Sequence, residues 1–247
     1  MSKLSSIISG REQRPLRMVI YGVDGIGKST FAAAAPGAIA IPTEDGSHHI
    51  DVARFPVART HGEVLENIAA LGNERHDFIT VNLDSIDFAE ALIREEVCRE
   101  KGWSGIEDPG YGKGYAYARE KFDGLLSGLD WLWSKGMNVI VIGHAAKLRV
   151  DDPTTAEPYE KYGVKLDKMN GPKLCEWADV VAFANYETVV KSSKDGLQTV
   201  KRGISYGDRY LYTTRSASYD AKNRFGLPDK MPLDFGVFWE NYQASIS

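Results

Sequence analysis

Eight residues near the start of the chain, Gly22 to Ser29 (GVDGIGKS), have the types and spacing needed to hold a chain of phosphates. They fit G-x-x-x-x-G-K-[ST], and Thr30 follows. Glycines at 22, 25 and 27 let the backbone through Val23, Asp24 and Ile26 curl so that successive N–H groups face one anion. A helix starting directly after the loop adds a favourable dipole. Lys28 would reach the β- and γ-phosphates, and the Ser29 hydroxyl would be a ligand for Mg²⁺. Without a ligand the same string is a Gly-rich strand-to-helix turn. The apolar MVIYG before it and the FAAAA after it supply the context that phosphate binding requires. ATP and Mg²⁺ are the cofactors expected.

The metal needs an acidic partner at the end of another core strand, and FITVNLDS offers Asp84. An Asp there accepts hydrogen bonds from the water shell of magnesium, opposite Ser29. The plainer role for Asp84 is to cap the helix that starts near Ile86, a role open to Ser85 and Asp87 as well. Where an Asp-Glu pair would bring a water-polarising carboxylate, this chain has Asp84-Ser85, so that group must come from elsewhere. Glu44, directly after the AIAIPT run, could reach a water in line with the γ-phosphate. It could equally be a surface carboxylate in the turn before Gly46. The neighbouring His48 and His49 point apart with no cysteine nearby, which suits a solvated turn better than a metal site.

These residues need strands to carry them, and short apolar runs alternate with longer amphipathic ones, the pattern of βαβ units around a mainly parallel sheet. Core strands are expected at Met18–Gly22, Ala38–Thr43, Phe78–Asp84, Asn138–His144 and Asp179–Asn185. Helices are expected near 28–35, 61–72, 86–100 and 115–135. Gly102–Gly114, with five glycines, and Ala145–Gly171, rich in charge, read as long loops. Beyond residue 186, TVVKS, GLQTVKR and RYLYTTR read as antiparallel strands with turns at Ser193–Gly196 and Ser205–Asp208. The fold class is therefore α/β, one domain over 17–247 with a β-rich C-terminal extension, preceded by a tail over 1–16.

The chain has 247 residues, 43% of them hydrophobic and 26% charged, which describes a globular protein with a sizeable core. No apolar run approaches the roughly 18–20 residues needed to span a bilayer, and MSKLSSIISGREQ has no secretory pattern. Cys98 and Cys175 are far apart and read as reduced thiols of a cytoplasmic protein. The formal charge of −4 argues against a uniformly basic surface, but residues 191–224 hold eight Lys/Arg against three Asp, and residues 1–17 hold four against one Glu. A local patch is enough for nucleic acid.

Taken together, GVDGIGKST, the strand ending at Glu44, Asp84-Ser85, the strand IVIGHAAK and the string KNRFG at 222–226 resemble the RecA/RadA recombinase core over residues 16 to 230. The small size resembles the compact phage-type ATPases of that class associated with single-strand annealing. The resemblance implies a RecA-like P-loop NTPase fold in a phage- or bacterium-type intracellular protein. It gives Glu44 the task of activating water and makes His144 the sensor near the γ-phosphate, where RecA has a glutamine. From its position alone, His144 would be a strand-end histidine bonded to a backbone carbonyl. The resemblance also sends Lys222 and Arg224 across a subunit boundary to the γ-phosphate of a neighbour, as arginine fingers act. Their plainer role is a charged turn with both cations in solvent, on one face of a strand.

The two loops would then line a channel for single-stranded DNA. Trp103, Tyr111, Lys113 and Tyr115 in the first combine rings for base stacking with a cation for phosphate, and Lys147, Arg149, Lys161, Lys165 and Lys168 in the second add charge. Aromatics in glycine loops also commonly pack a loop onto its own domain. The expected protein is a Mg²⁺-dependent, ATP-hydrolysing recombination protein that forms a homo-oligomer, ring or filament, on single-stranded DNA. A single-stranded-DNA-binding protein is a further partner, and no membrane is involved. The alternatives are a small-molecule P-loop kinase with 102–171 as a lid, and a non-hydrolysing nucleotide-gated interaction module.

Overall fold

Strict alternation along the first strand sets the layers of the molecule. In β1 (Arg17–Gly22), Met18 and Ile20 point to one face and Val19 and Tyr21 to the other, and all four are fully buried. A strand buried on both faces needs covering helices on both sides. The structure, a computed structural model, describes residues 3–7, 9–10, 12–195 and 198–246. On the Val19–Tyr21 face lie α2 (His61–Asn73), α3 (Ile86–Lys101) and α4 (Lys113–Ser134), packing Ile68, Ile93, Phe122 and Leu129 into one core. On the Met18–Ile20 face, α1 (Lys28–Ala33) and α6 (Phe235–Ile246) build a second core from Phe31, Phe235, Phe238 and Tyr242.

β1 sits in the middle of the sheet, parallel to β5 (Asn138–Val150) on one side and to β7 (Val180–Asp195) on the other. Beyond β5 come β4 (Thr80–Asp84), β2 (Ala38–Pro42) and the short β3 (Ala53–Arg54), all parallel. Beyond β7 come β8 (Gln198–Tyr212) and β10 (Lys230–Pro232), both antiparallel, while β9 (Lys222–Asn223) pairs with the first residues of β7. The expected α/β class, with a mainly parallel sheet between helices and an antiparallel C-terminal extension, is the one observed. Among the described residues no helix is long and apolar enough to cross a membrane.

Three expectations need correction. Residues 145–171 are not a loop. β5 runs on to Val150, and β6 (Tyr159–Val164) returns antiparallel, from Ala145↔Val164 to Val150↔Tyr159, before α5 (Asn170–Trp177) begins. Lys147 and Arg149 alternate with Leu148 and Val150, a half-buried strand pattern that the density of charge hides. The C-terminal extension is one long hairpin rather than three short strands. β8 passes through Ser205–Asp208 without turning, and a register shift between Tyr186 and Thr188 takes up the irregularity. Of the expected turn at Ser193–Gly196, residues 193–195 belong to β7 and Gly196 lies outside the described residues. Finally, α6 was not expected at all. Asp234 accepts from the Val237 amide at 3.0 Å at its start. Phe235, Phe238, Trp239 and Tyr242 then recur at helical spacing, a signal present in the sequence but overlooked.

The described part of the N-terminal tail has a turn of 3-10 helix at Lys3–Ser6, and Leu4 and Ile7 are exposed. Met1, Ser2, Ile8 and Arg11 of that tail lie outside the described residues. The tail joins the domain where Trp133 Nε1 donates to the Pro15 carbonyl and Leu16 is buried. Because α6 completes the second core, Phe238→Ala should lower the unfolding free energy by about 3–5 kcal/mol. Denaturant titration followed by circular dichroism would measure it.

Candidate active site

The phosphate loop leaves the carboxyl end of β1, and its glycines answer to two different constraints. At Gly22 a Cβ would lie 2.2 Å from the Ala184 carbonyl oxygen, so the close approach of β7 admits only glycine. Gly27 has φ of +107°, in the left-handed region that other residues rarely adopt. Lys28, the first residue of α1, is buried and folds back so that Nζ donates to the carbonyls of Val23 and Gly22 at 3.0 and 3.2 Å. Burial pushes its pKa down, and Asp24, Asp84, Asp87 and Glu44 oppose that shift. Phosphate oxygens would offer this ammonium stronger acceptors than the two carbonyls.

Around the loop is a cavity of about 320 Å³, lined among others by Gly25, Lys28, Ser29, Thr30, Glu44, Asp84, His144 and Arg209. Asp84, at the end of β4, lines the same cavity as Ser29 and is near enough for the hydroxyl to pull its carboxyl down, so the two residues expected to hold magnesium come together. Burial pushes the Asp84 carboxyl up, against the pull of Ser29 and Lys28. Ser85, not Asp84, occupies the N-cap position of α3. Thr43 joins the ends of two strands. Its amide donates to the Asp84 carbonyl at 2.7 Å, and its hydroxyl donates to Ser85 O and accepts from Ser85 N at 2.8 and 2.9 Å. That clasp sets where the next residue, Glu44, stands, with its side chain 27% exposed and its carboxyl pushed up by burial.

His144 closes the far side. Its Nδ1 lies 2.9 Å from Asp87 Oδ2, and its Nε2 faces Asp24 Oδ1 at 3.6 Å and Glu44 Oε1 at 4.0 Å. The Asp87 hydrogen bond raises the imidazole pKa in spite of partial burial. The histidine is thus bonded to a carboxylate rather than to the backbone carbonyl that its position alone suggested. Two members of this site escaped the sequence analysis. The sequence suggests Asp87 only as a cap of α3. Arg209, on β8, donates to the Ile26 carbonyl at 3.2 Å and lies over Gly27. Only pairing between strands far apart in sequence brings it there, and nothing local distinguishes it from other exposed arginines.

The remaining candidates lie elsewhere. β9 pairs with Val180 and Val181, whereas the loop leaves the sheet level with Ala184. Lys222 and Arg224 therefore belong to the opposite end of the strands from their own phosphate loop, roughly 13 Å away at the usual rise per residue. Both are engaged. Lys222 Nζ donates to the carbonyls of Ala178, Glu176 and Cys175 at 2.7, 2.8 and 3.0 Å, closing the end of α5. Arg224 bonds Asp179 at 2.8 Å with half of its side chain exposed. In the 102–112 loop Trp103 packs against the core beside Tyr117, Tyr115 bonds Glu107, and Tyr111 is fully exposed. Lys113 starts α4. His48 and His49 have their rings 5.6 Å apart, and His49 reaches the rim of the cavity. Among the described residues no three His, Cys, Asp or Glu side chains gather as a metal cluster.

The residues present fit MgATP. Lys28 and the loop amides would hold the phosphates, Ser29 and Asp84 would hold the metal, and magnesium would supply neutralisation of the phosphate charge. Glu44 lines the same cavity, and a carboxylate there, once ionised, would be able to take a proton from a water. Lys28→Ala should weaken ATP binding by at least about tenfold, or ~1.4 kcal/mol. Asp84→Asn should chiefly remove the gain in affinity that Mg²⁺ gives, and calorimetric titration with and without the metal would separate the two. A search of curated proteins finds no match. A family model described as an AAA domain matches residues 14–225, which include β1, the phosphate loop, Asp84, His144 and the turn after β9. The chain belongs to the AAA domain family, and its site is that of a P-loop ATPase.

Proposed function

We propose that this ATPase assembles on single-stranded DNA with ATP at the boundary between subunits, and that it serves recombination by annealing or pairing strands. One observation carries the reading. Beneath the β5–β6 hairpin is a groove of about 730 Å³, rimmed by Lys147, Arg149, Lys161, Lys168, Arg215 and Lys222 against Asp167, Glu176 and Asp220. Its walls include Leu148, Val150, Val164 and Leu166. An excess of cations over an apolar floor suits a polyanion whose bases need an unpolar surface. Four of the cations expected to meet DNA line this groove. Lys165 instead lines the neighbouring hollow with Arg94 and Leu166.

Subunit assembly is supported by where the KNRFG string lies. Lys222 and Arg224 are too far from their own phosphate loop to act there, so any contact with a γ-phosphate would be with that of another copy. Arg224 is the better placed, being half exposed, while Lys222 would have to leave three carbonyls. The exposed Leu4 and Ile7 of the tail suit a contact between copies.

Hydrolysis measured with and without single-stranded DNA tests the proposal. Stimulation by DNA is expected, with binding that weakens steeply as salt rises. Hydrolysis indifferent to DNA, with no binding by anisotropy at low salt, would remove DNA from the reading. Arg224→Ala should lower stimulated hydrolysis and leave ATP binding by the isolated subunit intact. Mixing it with Lys28→Ala should restore part of the activity, because each variant supplies what the other lacks.

A further inference from the structure

Asp87 stands outside both the phosphate loop and the Ser29–Asp84 pair, yet its carboxylate is committed to the site. It lies in the first turn of α3, with its side chain 6% exposed. Both oxygens meet His144 Nδ1, at 2.9 and 3.1 Å, and Oδ1 also accepts from the His144 backbone amide at 3.2 Å. A buried carboxylate that accepts at Nδ1 requires the proton to be on that nitrogen. Turning the ring over, or moving the proton to Nε2 alone, would leave a buried charge without its partner. Phe88, next on the helix, lies beside the imidazole with ring centroids 6.1 Å apart in an edge-type arrangement. Nε2 is left facing Asp24 and Glu44, in the cavity that Lys28 also lines.

We propose that Asp87 is a positioning residue for ATP hydrolysis, holding Nδ1–H of the His144 imidazolium so that Nε2–H points beside Glu44 at the γ-phosphate end of the site. This rests on the site hydrolysing ATP with Glu44 as the base. Asp87 acts only through the histidine, much as a carboxylate behind a metal-bound or catalytic imidazole sets its tautomer and direction. The groups facing His144 are Asp87 from α3, Asp24 from the phosphate loop, Glu44 after β2, Lys28 from α1 and Asp84 at the end of β4. Of these, Asp87 gives the strongest push toward the imidazolium, and Lys28 opposes it.

The pH dependence follows with a definite sign. The His144 pKa is raised, so the imidazolium persists to higher pH than a free imidazole would and is lost as pH rises through the raised value. The Glu44 pKa is also raised, so the base is lost on the acid side at a higher pH than for an ordinary glutamate. Hydrolysis should follow a bell between the two.

Asp87→Asn is the test, with Asp87→Ser as a second neutral variant and Asp87→Glu as the conservative one. In the nucleotide-free protein, the ¹⁵N-histidine resonances of His144, identified by their loss in His144→Gln, should titrate at lower pH in both neutral variants. They should also show a mixture of tautomers. In hydrolysis assays kcat should fall about tenfold or more, as for other donors aimed at developing charge. KM for ATP should stay within about twofold, since the phosphate loop is untouched, and the alkaline limb should move to lower pH. Asp87→Glu should restore that limb. An unchanged His144 titration with wild-type kcat would overturn the proposal. So would a loss of thermal stability with the His144 titration unmoved, because Asp87 would then only fasten α3 to β5. Failure of the underlying site is distinguishable. Wild-type protein without hydrolysis, or Lys28→Ala with full activity, would count against the ATPase site itself, whatever the histidine spectra show.

Discussion

Parallel pairing in one register sets Gly22 beside His144, Asp84 beside Ile142 and Pro42 beside Asp84, so three strands end at nearly the same height. The phosphate loop follows β1, Asp84 ends β4, Glu44 stands just past β2, and His144 lies where β5 passes the end of β1. A slip of one residue in any strand would send its side chains into the wrong one of the two cores and move its polar end group to the other face. The register is held by burial, since Met18, Ile20, Val81, Leu83, Val139 and Val141 are all buried in one or other core. Packing energy on both faces of the sheet thus becomes positional precision at its carboxyl edge. The clasp of Thr43 on Asp84 and Ser85 tightens the same edge where β2 has already ended.

That precision permits an unusual density of charge. Lys28, Asp84, Asp87, Glu44 and His144 lie close enough to shift one another, and burial penalises each charged form. Burial would push the Asp87 carboxyl up, but the His144 hydrogen bond and charge hold it below the usual range, while the same contact raises the imidazole. Asp84 and Glu44 lack such a partner of opposite charge at hydrogen-bond distance, and both shift upward. A metal beside Asp84 and phosphates beside Lys28 would offset the penalty that burial places on each of these charges. The arrangement of these groups therefore suits a cation beside Asp84 and a polyanion beside Lys28.

β5 connects this edge to the rest of the molecule. Its first seven residues belong to the parallel sheet, and the next six leave it to pair with β6 over the basic groove. The Lys165 amide donates back to the His144 carbonyl at 2.8 Å, so the strand's exit from the sheet is fastened at both sides of the hairpin. Further along, Glu90 on α3 accepts from the backbone amide of Asp167 and the side-chain amide of Asn170, which ties the start of α5 to the helix that carries Asp87.

The phosphate loop and the mainly parallel sheet were legible in the sequence, because each depends on residues that are neighbours along the chain. A glycine turn needs its own glycines, and a strand buried on both faces shows its continuous apolar run. The helical spacing of Phe235, Phe238, Trp239 and Tyr242 was legible too, although it was passed over. The β5–β6 hairpin was obscured because its alternation is carried by long charged side chains that resemble a solvated loop. The partnership of Asp87 with His144 and the reach of Arg209 to Ile26 could not be read at all. They join residues 57 and 183 positions apart, and such contacts exist only after strand order and register have been chosen. The sequence by itself determined which groups could bind a nucleotide. Tertiary structure decided which carboxylate faces which cation, because that choice follows from packing both faces of the sheet and not from any local spacing.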